Sequence, residues 1–223
     1  MTALLFDMDG VLVDVSRSYR LAIQKTVLAF SGRNPAPQLI QSYKNRGGFN
    51  NDWDLTQAIL TDFGSTPSRE EIIRIFQGHY CGKKFDGLIN KENWLLKREI
   101  LQSLQGKYPL GIVTGRPGDE ARHTLERFGV TLYFQTCICL EDVGLEKGKP
   151  NPKGILMALA DLKTNKGFYA GDTRDDMEAA SRAGIGSIGI VPEGENTAGA
   201  DILRKSGAQA VIADINLIEE VIQ

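Results

Sequence analysis

Short apolar runs alternate with helical patterns through the second half of the chain. The β-favouring runs lie at 108–114, 134–140, 167–171, 187–191 and 209–212, and the helical patterns lie at 95–104, 118–128, 152–162, 175–183, 198–205 and 215–222. Parallel strands need a crossover between them, and that crossover is nearly always right-handed, so this order is typical of helices wound on both faces of a sheet. The sequence therefore predicts an α/β fold with a doubly wound, Rossmann-like parallel sheet.

One more apolar run, Leu4–Phe6, lies near the start of the chain and is followed by Asp7 and Asp9. A run that is apolar on both faces is typical of a buried parallel strand. In open α/β sheets, ligands bind outside the carboxyl ends of the strands, which is where both aspartates would lie. A buried carboxylate is costly unless it is paired or holds a metal ion, and Mg²⁺ commonly takes one or two carboxylates together with substrate phosphate. The alternative is a turn with two solvated acids.

Residues 15–92 carry a different pattern, in which helical periodicity continues without a convincing strand. Helices are predicted at 16–30, 38–43, 55–63 and 68–80, and Ser68 with Glu71 has the sequence signature of a capping box. The sequence thus predicts two domains. One is an α/β core of residues 1–14 and 93–223, and the other is an all-helical insert of residues 15–92.

Bulk composition disfavours several classes of function. The chain has 223 residues and a net charge of −2, and no apolar run approaches the roughly 18 residues of a membrane helix. We therefore expect neither nucleic acid nor a membrane as a partner. No further ligand has zinc-site spacing from Cys137 and Cys139, so both are interpreted as small buried side chains. No basic segment precedes the first strand, and we expect a cytoplasmic protein, monomeric or homodimeric.

Three further motifs fall at the ends of predicted strands or in the loops that follow them: Thr114-Gly115, Lys149-Pro150-Asn151-Pro152 and Gly171-Asp172-Thr173-Arg174-Asp175-Asp176. Together with Asp7-Met8-Asp9-Gly10, and in this order, they resemble the four motifs of the haloacid dehalogenase (HAD) superfamily. The resemblance covers the predicted core. The helical insert lies where the C1 cap lies in subfamily I, the branch that contains the phosphoglycolate phosphatase-like and β-phosphoglucomutase-like proteins.

The resemblance implies a metal-assisted phosphoryl transfer. Asp7 would be the nucleophile that becomes phosphorylated, and Asp9 would act as general acid and base. Mg²⁺ would be held by Asp7, by the backbone carbonyl of Asp9 and by Asp172, with Asp176 orienting the metal shell.

The remaining core motifs would bind the transferred phosphoryl group. In the family pattern, the Thr114 hydroxyl and the Gly115 amide donate to the phosphoryl oxygens, and Lys149 adds a fixed positive charge. Arg116 follows directly, and the sequence leaves two roles open for it: a contact to the substrate, or a brace within the loop.

A polar loop with two adjacent glycines, residues 44–54, separates two helices of the insert and resembles the family's cap specificity loop. Arg46 offers a planar cation suited to a carboxylate or a second phosphate. Asn50 and Asn51 offer donors and acceptors suited to hydroxyl groups. These three residues are the predicted substrate-binding residues of the insert. The alternative is a surface loop in which Asn51 or Asp52 caps the next helix.

The resemblance therefore implies a Mg²⁺-dependent phosphatase that hydrolyses a small phosphorylated metabolite through an aspartyl-phosphate. Asp9 argues against a dehalogenase, because the dehalogenases of this family lack the second acid. Two alternatives stay open. One is a phosphosugar mutase of the β-phosphoglucomutase type, and the other is a non-catalytic protein that binds a phosphorylated metabolite.

Overall fold

The computed structural model describes residues 1–49, 51–192 and 197–222. The strands are β1 (Ala3–Phe6), β2 (Val13–Asp14), β3 (Asn93–Trp94), β4 (Leu110–Val113), β5 (Thr136–Ile138), β6 (Gly167–Gly171), β7 (Gly186–Ile190) and β8 (Ala210–Ile212). The α-helices are α1 (Tyr19–Ser31), α2 (Pro37–Arg46), α3 (Asp52–Asp62), α4 (Arg69–Tyr80), α5 (Arg98–Lys107), α6 (Gly118–Phe128), α7 (Leu140–Val143), α8 (Lys153–Asp161), α9 (Arg174–Ala183) and α10 (Thr197–Lys205). Segments of 3-10 helix lie at Leu88–Lys91, Thr131–Tyr133, Leu145–Lys147 and Ile215–Glu220.

The first compact unit joins Met1–Val13 to Trp94–Gln223. Its six strands form one parallel sheet in the order β5-β4-β1-β6-β7-β8. Strand β1 is central, and Phe6 pairs with Ile112 of β4 on one side and with Ala170 of β6 on the other. The chain order reverses at β1, which makes the carboxyl end of β1 the topological switch point of the sheet. The predicted fold class is confirmed.

Apolar side chains on one face of this sheet pack against α8 and α9. Every residue of β1 and β4 is buried, as a parallel strand covered by helices on both faces requires. One cluster combines residues of the strands and these helices: Ala3, Leu5, Val113, Ile138, Val143, Ile155, Ala158, Leu159, Tyr169, Ala179 and Ala180. This packing fixes the strand ends from which the polar motifs emerge.

The second compact unit is Asp14–Asn93, and it contains α1 to α4. Tyr19 of α1 stacks on Tyr80 of α4, with ring centroids 4.0 Å apart. Buried Glu92 accepts hydrogen bonds from the Ser18 and Tyr80 hydroxyls, each at 2.8 Å. The predicted capping box of Ser68 and Glu71 is present at the start of α4.

The structure differs from the sequence patterns mainly at element ends. Helix α3 begins at Asp52 rather than at residue 55, because the Asn51 side chain accepts from the Trp53 and Asp54 amides and caps the helix. The predicted last helix is a 3-10 segment, Ile215–Glu220. Strands β2 and β3 pair with each other and were not predicted, because two-residue strands leave no periodic signal.

None of the helices within the described ranges combines the length and the apolar character that a bilayer crossing needs.

Candidate active site

The first two aspartates follow β1 in a tight turn. The Asp7 amide donates to the Ala170 carbonyl at 2.8 Å, which extends the β1–β6 ladder by one residue. Gly10 then adopts a φ of +76°, and a Cβ placed there would collide with the Asp172 carboxylate. Glycine is therefore needed at this position both for the backbone conformation and for the close approach of the next motif.

Asp7, Asp172 and Asp176 form an acidic cluster at this edge of the sheet. Each offers a carboxylate oxygen, and these oxygens all lie within 4.8 Å of one another. Asp7 and Asp176 are buried, and Asp172 is partly exposed. Oxygen ligands of full negative charge suit a hard divalent cation, so the donor set fits the kind of metal that the sequence predicts. Asp9 contributes no carboxylate to this cluster. Its predicted contribution is through the backbone carbonyl.

Lys149 is the buried cation of the same cluster. Its Nζ lies 2.9 Å from Asp7 Oδ1 and 2.6 Å from Asp176 Oδ1, and it donates to the Tyr169 hydroxyl at 2.9 Å. Burial lowers the pKa of Lys149, but the Asp176 and Asp7 carboxylates outweigh it and hold the pKa well above its usual value. Lys149 is therefore charged throughout the neutral pH range.

The protonation of Asp7 depends on the balance of these charges. Burial raises the pKa of Asp7 to about 8, Lys149 opposes the rise, and the carboxylates of Asp176, Asp9 and Asp172 add to it. One lysine does not compensate three ionised carboxylates, so the cluster carries an excess of negative charge when Asp7, Asp172 and Asp176 are all ionised. A divalent cation bound there would lower the pKa of Asp7 and favour its ionised form, which its predicted role as nucleophile requires.

Asp176 is held by the first turn of α9. Its Oδ2 accepts from the Thr173 hydroxyl at 2.6 Å and from the Thr173 and Asp172 amides at 2.9 and 3.2 Å. Thr173 in turn caps the helix through the Asp176 amide, which completes a capping box. The Asp172-to-Asp176 spacing therefore has a local cause: Asp176 lies in the first turn of α9 and closes its capping box, and Asp172 lies two residues before the helix begins.

Thr114 and Arg116 follow β4, which is a neighbour of β1 in the sheet. The Thr114 amide donates to the Ile138 carbonyl at 3.0 Å, and the Thr114 hydroxyl accepts from the Arg116 amide at 3.2 Å. Gly115 lies between them in the same turn. These bonds fix the loop in which the predicted phosphoryl donors lie.

Arg116 contacts the second aspartate. Its Nε donates to Asp9 Oδ1 at 2.7 Å, its Nη2 donates to the same oxygen, and its Nη1 donates to the Thr124 hydroxyl at 2.9 Å. The structure thus brings Arg116 and Asp9 together, although they are far apart in the sequence. A substrate-binding role for Arg116 stays a prediction.

The three candidates of the helical unit are described within that unit. Arg46 is the last residue of α2, and its guanidinium carbon lies 4.7 Å from the centre of the Tyr43 ring. Asn51 is the N-cap of α3. Asn50 lies outside the described residues. Their predicted roles in substrate binding stay predictions.

Two residues of the site had no role in the sequence predictions. Tyr169 donates from its hydroxyl to the Val113 carbonyl at 2.8 Å and accepts from Lys149, and Thr124 holds Arg116. A tyrosine inside a predicted strand of a parallel sheet is a usable signal, because such strands are buried on both faces and a buried hydroxyl normally has a partner. No comparable signal marks Thr124, which lies on an ordinary amphipathic helix.

Comparison with known proteins agrees with this geometry. The family model described as haloacid dehalogenase-like hydrolase matches residues 4–190. The chain belongs to this family. The family membership and the predicted enzyme class, a HAD-like hydrolase with phosphatases among its relatives, are confirmed. The predicted divalent metal is supported by the family and the acidic cluster.

Individual relatives cover most of this chain. It is 36% identical over 198 residues to an imidazoleglycerol-phosphate dehydratase of Phytophthora nicotianae, spanning 85% of this chain but only 43% of that protein. It is 24% identical over 185 residues to the phosphoglycolate phosphatase of Aquifex aeolicus, spanning 82% of each. A crystal structure of a predicted phosphoglycolate phosphatase from Haemophilus somnus superposes with a TM-score of 0.77 and 19% identity, covering 100% of this chain and 98% of that chain, which supports the fold.

Proposed function

We propose that this protein is a Mg²⁺-dependent phosphatase that hydrolyses a small phosphate monoester through an aspartyl-phosphate on Asp7. The observation that carries the proposal is the buried cluster in which Lys149 bridges Asp7 and Asp176 while Asp172 offers a third carboxylate oxygen. A buried excess of carboxylates destabilises a fold unless it serves a ligand or a reaction. The presence of a nucleophile candidate, Asp7, together with a second acid, Asp9, favours catalysis over binding alone.

In the first half-reaction, an Asp7 oxygen attacks phosphorus and the bond from phosphorus to the leaving oxygen breaks. Asp9 gives its proton to that leaving oxygen, so that an alcohol departs rather than an alkoxide. Lys149 keeps Asp7 in place through the 2.9 Å contact and offsets its charge as the phosphoryl group approaches. A bound Mg²⁺ would supply electrostatic stabilisation of the transferring phosphoryl oxygens.

In the second half-reaction, water attacks the phosphorus of the aspartyl-phosphate. Asp9, now ionised, takes a proton from that water, and the bond between phosphorus and Asp7 breaks to release phosphate. The Thr114 hydroxyl and the Gly115 amide donate to the phosphoryl oxygens in both steps. Division of the reaction into two steps with one acid–base residue explains why two carboxylates follow β1.

The chemistry is tested with p-nitrophenyl phosphate. Wild type should release phosphate only with Mg²⁺ and should stop in excess EDTA. The Asp7→Asn variant should lose at least about 10³-fold in kcat, because an amide oxygen is a poor nucleophile. Asp119→Asn, an exposed acid in an ion pair on α6, is the matched control and should keep full activity. Activity of the Asp7→Asn variant within tenfold of wild type would refute the nucleophile assignment.

For the substrate, we propose a phosphate monoester that carries an imidazole group. The proposal rests on the Phytophthora relative, whose name assigns it a dehydration of imidazoleglycerol phosphate. This chain matches 43% of that protein's length, which leaves room for a separate dehydratase region in the same polypeptide. The proposal takes the substrate class in that relative's name as the class for this chain. The 36% identity exceeds the 24% to the Aquifex phosphoglycolate phosphatase.

A substrate panel tests this choice. It contains imidazoleglycerol phosphate, imidazole-bearing phosphate monoesters with a ketone or an amine in the side chain, 2-phosphoglycolate and hexose phosphates. We expect kcat/KM to be at least about tenfold higher for one imidazole ester, as one additional hydrogen bond to a charged group provides. Preference for 2-phosphoglycolate would reject the imidazole class. Conversion of a hexose 1-phosphate to the 6-phosphate without phosphate release would instead identify the mutase alternative.

A further inference from the structure

Arg116 is a fully buried arginine that the proposed chemical steps do not use. It heads the largest fully buried side chains of the described residues, with 1% of its surface exposed. Burying a guanidinium destabilises a fold unless its donors are satisfied by charged or polar partners. The buried guanidinium therefore needs hydrogen-bond acceptors, and Asp9 and Thr124 are two of them.

The contacts of Arg116 fix one oxygen of Asp9. Nε and Nη2 both donate to Asp9 Oδ1. Oδ2 is the oxygen to which neither of these two bonds is made. A carboxyl group that has one oxygen held in this way presents its other oxygen in a fixed direction. A general acid and base needs this, because it must give a proton to the leaving oxygen and later take a proton from water.

Arg116 is itself held on several sides. Its amide donates to the Thr114 hydroxyl at 3.2 Å, its carbonyl accepts from the Leu140 amide at 3.0 Å, and its Nη1 donates to Thr124 at 2.9 Å. These partners lie at the end of β4, on α7 and on α6, which are separate elements of one compact unit. The guanidinium therefore has a single orientation to impose on Asp9.

We infer that Arg116 is a positioning residue that orients the Asp9 carboxyl for proton transfer, and that it does not contact the substrate. The inference rests on the proposed phosphatase function. The Arg116 side chain has 0% exposed surface, whereas that of Asp9 is 22% exposed. A substrate can reach Asp9 in this arrangement but has no exposed donor of Arg116 to bind. During the reaction, Asp9 Oδ2 gives a proton to the leaving oxygen and later takes one from the attacking water. Arg116 keeps its charge and forms no bond to phosphorus.

The test compares p-nitrophenyl phosphate with phenyl phosphate, which has a more basic leaving oxygen and the same ring. Arg116→Lys keeps the positive charge but cannot reproduce the paired hydrogen bonds from Nε and Nη2 to Asp9 Oδ1. We expect its kcat/KM to fall about 10–100-fold on phenyl phosphate and less than about threefold on p-nitrophenyl phosphate, because only the basic leaving group needs the acid. The inhibition constant of inorganic phosphate should not change. Arg122→Lys, in the exposed Arg122–Asp119 ion pair of α6, is the control and should match wild type on both esters.

Two additional variants keep the test decisive if Arg116→Lys folds poorly. Thr124→Val removes one support of the guanidinium while preserving side-chain volume, and it should give the same selective loss at smaller amplitude. In an Asp9→Asn background, Arg116→Lys should add no further selective loss on phenyl phosphate, because Arg116 acts only through Asp9.

Several outcomes would overturn the inference. Equal losses on the two esters would mean that Arg116 supports only the fold. A weakened inhibition by phosphate would mean that it contacts the substrate. Failure of the phosphatase proposal itself would be seen in the wild type, which would then release phosphate from neither ester. That result would also refute the role of Arg116.

Discussion

The hydroxyl of Tyr169 supports the site from within the core, and Tyr169→Phe isolates its contribution. The hydroxyl donates to the Val113 carbonyl at 2.8 Å and accepts from Lys149 at 2.9 Å, in fully buried surroundings. Phenylalanine preserves the ring and its packing against β4 and α8. The substitution therefore removes these two hydrogen bonds and a longer contact of the hydroxyl with Asp176 Oδ1 at 3.4 Å.

The magnitude follows from what each partner loses. The Val113 carbonyl loses its buried donor, which costs about 1–3 kcal/mol. Lys149 loses a neutral acceptor but keeps its ion pairs with Asp7 and Asp176, so this loss adds about 0.5–1 kcal/mol. We expect a fall of about 1.5–4 kcal/mol in the free energy of unfolding, or about 3–16 °C in Tm for a chain of this size. Because Lys149 stays paired, kcat/KM should fall less than about tenfold.

Denaturant and thermal unfolding of the metal-free protein, together with turnover of p-nitrophenyl phosphate, measure both quantities. Tyr133→Phe is the control, since its hydroxyl accepts only a 3.3 Å bond from Gln102 at an exposed position, and it should stay within about 0.5 kcal/mol of wild type. A Tyr169→Phe protein as stable as this control would refute the reasoning, because the Val113 carbonyl would then have no need of the hydroxyl.

The remaining predictions concern the acid, the metal and the cap. Asp9→Asn should slow hydrolysis of phenyl phosphate about 10²-fold or more, with a smaller effect on p-nitrophenyl phosphate; equal losses would contradict the acid role. Burial raises the pKa of Asp7 from 3.8 to about 8, so between these values the folded metal-free protein keeps a proton that the unfolded chain releases, and its stability should fall as pH rises through this interval. Mg²⁺ must displace the same proton, so its affinity, measured by calorimetry, should rise up to about pH 8 and then level off; a flat profile would refute the assignment. Arg46→Ala should reduce kcat/KM for the true substrate by about 1–3 kcal/mol while sparing p-nitrophenyl phosphate, and comparable losses would exclude a specificity role.

Much of the core could be predicted because its signals are local. The alternation of apolar runs and helical patterns is sufficient to predict a parallel sheet, and polar residues after strands must meet at one edge of it. Asp7, Lys149 and Asp172 were therefore predictable as neighbours from their positions in the sequence. Their order along the chain, combined with the family resemblance, also predicted which chemistry to expect.

Other features of the site depend on distant residues and left no local signal. The contact of Arg116 with Asp9 joins two turns separated by the whole helical unit, and the sequence left both a bracing and a substrate role open for this arginine. Thr124 holds that contact from a helix whose pattern is fully explained by amphipathic packing. Asn51 of the helical unit is a second residue whose role the sequence could not decide, because an asparagine that caps a helix and one that binds a ligand look the same in sequence.

The central position of β1 has a consequence for how the chain is made. Phe6 pairs with Ile112 and Ala170, so both neighbours of this strand are synthesised more than a hundred residues after it. At about 5–20 residues per second, an apolar strand waits about 5–20 s for its first partner while α1 to α4 emerge. Helices rich in local contacts form far faster than non-local strand pairs. The nascent chain thus carries the residues of α1 to α4 together with an unpaired apolar strand that is open to aggregation. The acidic cluster of Asp7, Asp172 and Asp176 can form only after β6 and the start of α9 have left the ribosome.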